Sequence, residues 1–256
     1  CPPGDGDPDR ELLAYEPFTY AAALPCAGRG IDELGWSGDW TRSTKCDDAT
    51  RFAVVGDLWR PQMKSRRQGG AVAADRRGGL SRRWERPLRT DRDDVAYFSY
   101  LVRCERRTAD APCDLQVVLR DSRVGEPHRK WAVTVSWSAG KAAICWEGGG
   151  NCSSIPVEPG KTYLLAGKIV CGREAPDQTF LRLYAPRQRV DAEEPSSWTV
   201  VSRPVISGLT FDTVQVQFNT TMPLLLDELR FGSTWSSVTS PYAHADADRA
   251  TASVRD

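Results

Sequence analysis

The run Trp131-Ala-Val-Thr-Val-Ser-Trp137 decides the fold class. Taken two residues at a time, Trp131, Val133, Val135 and Trp137 fall on one side and Thr134 and Ser136 on the other. Side chains that alternate in this way belong to a strand with one face against a core and one against water. Phe211-Asp-Thr-Val-Gln-Val-Gln-Phe218 repeats the pattern through Val214, Val216 and Phe218. Ser138-Ala-Gly-Lys141 has the composition of a hairpin turn between two such strands. Working outward, strand-like runs recur at Leu13–Tyr20, Phe52–Leu58, Val95–Arg103, Asp114–Arg120, Lys130–Ser138 and Lys141–Trp146. They continue at Thr162–Val170, Thr179–Ala185, Trp198–Ser202, Phe211–Phe218 and Leu224–Phe231. Gly, Pro and Asp separate them, and Thr234–Val238 alone suggests a helical turn. Strands at this spacing predict an all-β protein, an antiparallel β-sandwich or jelly roll, in one domain over residues 13–240. Residues 1–12, rich in Pro, Gly and Asp, read as a flexible linker, and 241–256 as a flexible tail.

Composition narrows the function classes. Among 256 residues, 34 Lys+Arg balance 34 Asp+Glu, which argues against a globally basic nucleic-acid binder and against an acidic solvating chain. Hydrophobic residues make up 40%, with nine Trp, enough for a packed core. No apolar run reaches the roughly 18 residues of a transmembrane segment. One stretch departs from neutrality. Residues 60–92 carry eleven Arg or Lys against three acids. Either they form a patch for an anionic glycan or phosphate, or they are a solvated loop whose charges are balanced elsewhere.

Eight Cys are scattered with no Cys-x-x-Cys pair, and only His128 and His244 could assist as imidazole ligands. An even count without metal spacing reads as disulfides in an exported protein, periplasmic, cell-surface or secreted. Two pairs would each staple a predicted hairpin, Cys104 with Cys113 and Cys145 with Cys152; Cys26 with Cys46 is a weaker pairing. Cys1, followed by Pro-Pro-Gly-Asp-Gly-Asp-Pro-Asp, matches a bacterial lipid anchor on a tether, although an arbitrary start of the chain explains it equally well.

Several blocks occur together in order: Tyr15-Glu-Pro-Phe-Thr-Tyr20, Gly35-Trp-Ser-Gly-Asp-Trp40, Tyr97-Phe-Ser-Tyr-Leu-Val102, Lys161-Thr-Tyr-Leu-Leu-Ala166 and Leu226-Asp-Glu-Leu-Arg-Phe-Gly-Ser-Thr-Trp-Ser-Ser-Val238. In this the chain resembles the concanavalin A-like lectin/glucanase (laminin G-like) jelly-roll domains of exported planctomycete-type bacterial proteins. The resemblance covers about residues 13–240 and implies that fold, but it assigns no ligand. The cysteines and the Arg-rich stretch depart from the family pattern.

Site expectations follow from residue chemistry. Glucanases of this fold carry Glu-x-Asp-x-x-Glu along one strand, and the motif is absent, so a glycan-active enzyme ranks third among the readings. Trp36, Trp40 and Trp146 lie in Gly-rich or loop contexts and are the candidates to stack on sugar, against the alternative that they pack beneath loops. Trp131, Trp137 and Trp235 are assigned to the core. Glu16 in the first strand and Asp227 in the last are the candidate Ca²⁺ ligands, against the alternative that they hydrogen-bond the strand junction or pair with Arg230. The expected function is a non-catalytic extracytoplasmic recognition module that binds carbohydrate. The competing class is a structural or regulatory ectodomain with a cell-surface protein as partner.

Overall fold

The computed structural model describes residues 11–18, 34–42, 52–55, 58, 70–106, 113–123, 130–138, 141–146, 153–204 and 208–243. Of residues 130, 138, 141–146, 153–155 and 241–243 only the backbone is described. Two antiparallel sheets face each other across one core, as the alternating runs predict. Sheet A contains β1 (Leu12–Glu16), β3 (Phe52–Val55), β4 (Ala71–Ala74), β6 (Asp94–Cys104), β11 (Tyr163–Cys171), β12 (Gln178–Tyr184), β13 (Val200–Val201) and β15 (Leu224–Gly232). Its order is β13-β12-β11-β6-β15-β4-β3, with β1 also paired to β15. Sheet B contains β2 (Trp36–Arg42), β5 (Gly78–Arg89), β7 (Cys113–Arg120), β8 (Lys130–Ser138), β9 (Lys141–Trp146), β10 (Ser153–Pro156) and β14 (Thr210–Thr220). Its order is β10-β9-β8-β7-β14-β5-β2. Sequence-distant strands are neighbours in both sheets, which is the crossover connectivity of a jelly roll.

The core takes one residue in two from each strand. Sheet B contributes Leu115, Val117 and Leu119, then Trp131, Val133, Val135 and Trp137, then Val214, Val216 and Phe218. Sheet A answers with Phe98, Tyr100, Val102, Leu165, Ile169, Leu226, Leu229 and Phe231. Trp131 reaches across the sandwich, its indole N–H donating to Thr179 Oγ1 at 2.6 Å while its ring meets Phe98 edge-on. Gly167 makes room there, because a Cβ on it would lie 2.6 Å from the Phe98 ring.

Sheet A is apolar on its second face as well. Leu101, Leu164, Ala166, Tyr184 and Leu225 point outward and are buried with Trp235 and Val190. Trp235 belongs to α1 (Trp235–Ala243), a full helix where sequence suggested a single turn. Thr234 caps it by accepting the Ser237 amide at Oγ1, and Ser99 donates to the Val238 carbonyl at 2.7 Å.

The stretch at 60–92 is corrected in part. Residues 78–89 are not a solvated loop but the twelve-residue strand β5, between β14 and β2 in sheet B. Sequence reading missed it because Arg82 stands at an inward position between Leu80 and Trp84, where an apolar residue is expected. Strands β2, β4 and β10 were also not foreseen. The proposed linker and tail lie largely outside the described residues, while β1 and α1 extend the folded elements over Leu12–Ala243.

Candidate functional site

Three of the residues singled out from sequence meet, but inside the sandwich. Glu16 is fully buried, and its carboxylate accepts from Phe18 N at 2.8 Å, from Trp40 Nε1 at 2.8 Å and from Arg82 NH1 at 2.6 Å. Arg82 also donates from Nε to the Gly38 carbonyl at 2.9 Å, and its guanidinium lies 5.4 Å and 5.9 Å from the Trp36 and Trp40 ring centroids. The ion pair spans the core from β1 in sheet A to β5 in sheet B. Gly35, with φ +77°, allows the approach of β2, since a Cβ there would sit 1.7 Å from the Leu13 carbonyl oxygen. Trp40 is only 1% exposed, which corrects its assignment as a sugar platform: its ring is core and its N–H is committed to Glu16. Trp36 is half-buried and donates to the Tyr15 carbonyl at 2.8 Å. The Trp146 side chain lies outside what is described.

Asp227 is likewise occupied by the chain itself. Its two oxygens accept from Leu58 N at 2.9 Å and Glu228 N at 2.7 Å. The bulge that follows puts Glu228 at φ 53°, where it accepts from Tyr15 Oη at 2.9 Å and pairs with Arg230 at 2.6 Å. The first and last strands do lie side by side, Glu16 opposite Leu229. The positive charge at Glu16 is supplied by Arg82, and a cation there would have to displace these donors. Among the described residues no three His, Cys, Asp or Glu side chains gather as a metal-binding group.

Of the proposed disulfides, Cys104 and Cys113 are brought together as free, buried thiols with sulfurs 2.9 Å apart. The hydrogen bond between them lowers the Cys104 pKa and raises that of Cys113. The β9–β10 pairing ends at Ser153 opposite Ile144, one residue short of Cys145 and Cys152, and Cys152 lies outside the described residues, as do Cys1, Cys26 and Cys46. Burial pushes the Cys171 thiol up to about 12.

The outer face of sheet B has the chemistry of a binding surface. Register aligns Ser37, Arg83, Thr213, Arg120 and Lys130 in one row across five strands. Two residues along lie Thr41, Ser81, Gln215, Val118 and Ala132. Next come Gly79, Gln217, Gln116, Thr134 and Cys145, and then Asn219, Asp114, Ser136, Ala143 and Ser154. One end is therefore cationic, the centre is rich in amides, and the far end holds one carboxylate. Gln217 Nε2 donates to Gln215 Oε1 at 2.9 Å, and Gln215 is only 3% exposed. The short side chains Val118 and Ala132 form a buried floor among the longer polar ones. Asp114 accepts from Ser136 Oγ and from Asn219 Nδ2.

At the cationic end two acids are paired with arginines and a third accepts hydrogen bonds, while Glu85 stands exposed two residues beyond Arg83 on the same face of β5. The Arg123 guanidinium, with the Thr210 and Arg123 amides, holds the Asp121 carboxyl well below the usual carboxylate range. Asp91 is paired with Arg89 at 2.5 Å, and Asp212 accepts from Ser122 and Thr213. Arg83 is exposed and has no side-chain partner among the described residues. Sequence reading missed Arg120, Gln116, Gln215 and Gln217 as site residues. Their signal is present, since they occupy the polar phase of alternating strands, but only strand order shows that those phases form one surface.

No family model and no curated protein sequence matches the chain. Solved structures do. The endo-β-1,4-glucuronan lyase of the fungus Trichoderma reesei superposes with a TM-score of 0.53 at 9% identity, covering 89% of this chain and 98% of that one. A conserved carbohydrate esterase from the Shiga toxin-encoding bacteriophage phi24B gives 0.50 at 12% identity, covering 76% and 90%. At such identities the likeness concerns architecture alone. The chain is an all-β, antiparallel sandwich of the concanavalin A-like jelly-roll type.

Proposed function

We propose that this protein is a carbohydrate-recognition module and that its ligand lies along the outer face of sheet B. The carrying observation is the polar track of Gln116, Gln215, Gln217, Thr134 and Asn219, drawn from three adjacent strands. Amides present a donor and an acceptor side by side, which is what vicinal sugar hydroxyls require. The two structures with the same fold are a glucuronan lyase and a carbohydrate esterase, and this supports a glycan-related role. A binding role is favoured over hydrolysis because Asp114 is the one carboxylate in the four rows above, whereas glycoside hydrolysis uses two facing each other. The module acts outside the cytoplasm, and the Cys104–Cys113 pair closes as a disulfide there.

A glycan-array screen of the purified, oxidised protein tests this reading. Specific binding is expected, weakened in Gln116→Ala and Gln217→Ala variants that melt like the parent. Binding unaffected by both substitutions would move the ligand off this face. Silence of the parent across a broad array would favour a structural ectodomain that contacts protein.

A further inference from the structure

The cationic row of this same face has a chemical consequence of its own, which rests on the reading above. We infer that the ligand is an anionic polysaccharide, whose acidic groups are held at the Arg83–Arg120 end while its hydroxyls meet the amides. Arg83 and Arg120 both stand opposite Thr213, on either side of β14. Two strand spacings therefore separate them, about 10 Å. Two cations at that interval suit a polymer that presents acidic groups repeatedly, and suit a single small anion less well. Guanidinium groups bind carboxylate or sulfate oxygens through paired, charge-assisted hydrogen bonds.

Charge bookkeeping favours this end as the anion site. The whole chain is neutral, 34 cations against 34 anions, so attraction to a polyanion has to be local. Asp91 and Asp121 are paired with Arg89 and Arg123, and Arg83 with neither; Glu85, two residues along the same face of β5, is the acid closest to Arg83 in that strand. At the opposite end Asp114 would repel an acidic group, which gives the face a polarity along its strands. Burying Arg82 against Glu16 while leaving Arg83 outside also divides the Arg-rich segment into a structural and a surface part.

The test is affinity electrophoresis and calorimetry of the intact chain with alginate, dextran sulfate and neutral dextran, laminarin and xylan, at low and moderate salt. Retardation is expected in the acidic polymers and falls as salt rises. Preference for alginate assigns the acid as carboxylate, and preference for dextran sulfate assigns it as sulfate. Arg83→Ala should weaken that binding about tenfold, with Arg83→Lys recovering part of it. Thermal melts of each variant guard against misfolding. Neutral polymers bound as tightly as acidic ones, with Arg83→Ala silent, would overturn this inference and leave the carbohydrate reading standing. No binding to any polymer would overturn both.

Discussion

The outer faces of the two sheets are built on the same two-residue alternation yet end differently. On sheet A the outward positions are Leu101, Leu164, Ala166, Tyr184 and Leu225, and they are buried under Trp235 of α1 and the segment 185–199. That cover is pinned by polar contacts: Trp235 Nε1 to the Asp191 carbonyl at 2.9 Å, Tyr184 Oη to Asp191 at 2.8 Å, and Arg182 to Ser197 at 3.0 Å. Lys168 pairs with Glu194 above the Phe180 and Trp198 rings, and Tyr97 donates to the same Glu194. On sheet B the outward positions are Arg83, Arg120 and a group of amides around the buried Val118 and Ala132, a smaller apolar set than that of sheet A among the described residues. An antiparallel sheet apolar on both sides must be covered, while one with a polar side can face water or a ligand. Here the apolar cover falls on one outer face and the row of polar side chains on the other.

That division predicts a hierarchy of effects. Trp235→Ala should strip the cover from sheet A and cost about 3–5 kcal/mol in urea unfolding, with ligand affinity per folded molecule unchanged; a selective loss of affinity would break the division. Removing the bolt between the sheets should be comparably severe. Glu16→Ala leaves the Arg82 charge buried without its carboxylate and should cost about 3–5 kcal/mol. The double change Glu16→Leu with Arg82→Met, measured in the same titration, should recover most of it.

Smaller effects sharpen the comparison. Oxidation of Cys104 and Cys113 should add about 2–3 kcal/mol by shortening the loop available to the unfolded chain, read as a higher melting temperature that a Cys113→Ser variant lacks. On the outer face of sheet B, Arg83→Ala and Gln217→Ala should change stability by no more than about 0.5 kcal/mol; a large loss would make that face structural too. Asp121 supplies the weakest effect. Because Arg123 depresses its pKa, its contribution is complete above the usual carboxylate pKa and is lost as pH falls through the depressed value. Asp121→Asn should therefore flatten the acid limb of a stability–pH curve and leave the neutral region unaltered in slope.

Much of the sandwich was legible because alternation is a local property. Lys130–Ser138 and Lys141–Trp146 coincide with β8 and β9, and Leu224–Phe231 differs from β15 by one residue. Strand β5 was hidden by a long-range exception. Arg82 is held at an inward position by Glu16, 66 residues earlier and from the other sheet, and by the Gly38 carbonyl. The same contact commits to the interior both Glu16, read as a Ca²⁺ ligand or a hydrogen-bonding residue of the strand junction, and Trp40, read as a sugar platform. Nothing in the local sequence marks Glu16 as the partner of Arg82, since several acids precede it.

The sequence by itself determined the all-β class, the alternating core positions and the absence of the paired-carboxylate strand motif, since each depends on residues near one another in the chain. Tertiary structure decided which polar residues share a surface. Strand order in a sheet is set by chain crossovers and by packing of the two apolar faces. Arg83, Gln215, Gln116 and Thr134 become neighbours only after β5, β14, β7 and β8 have paired.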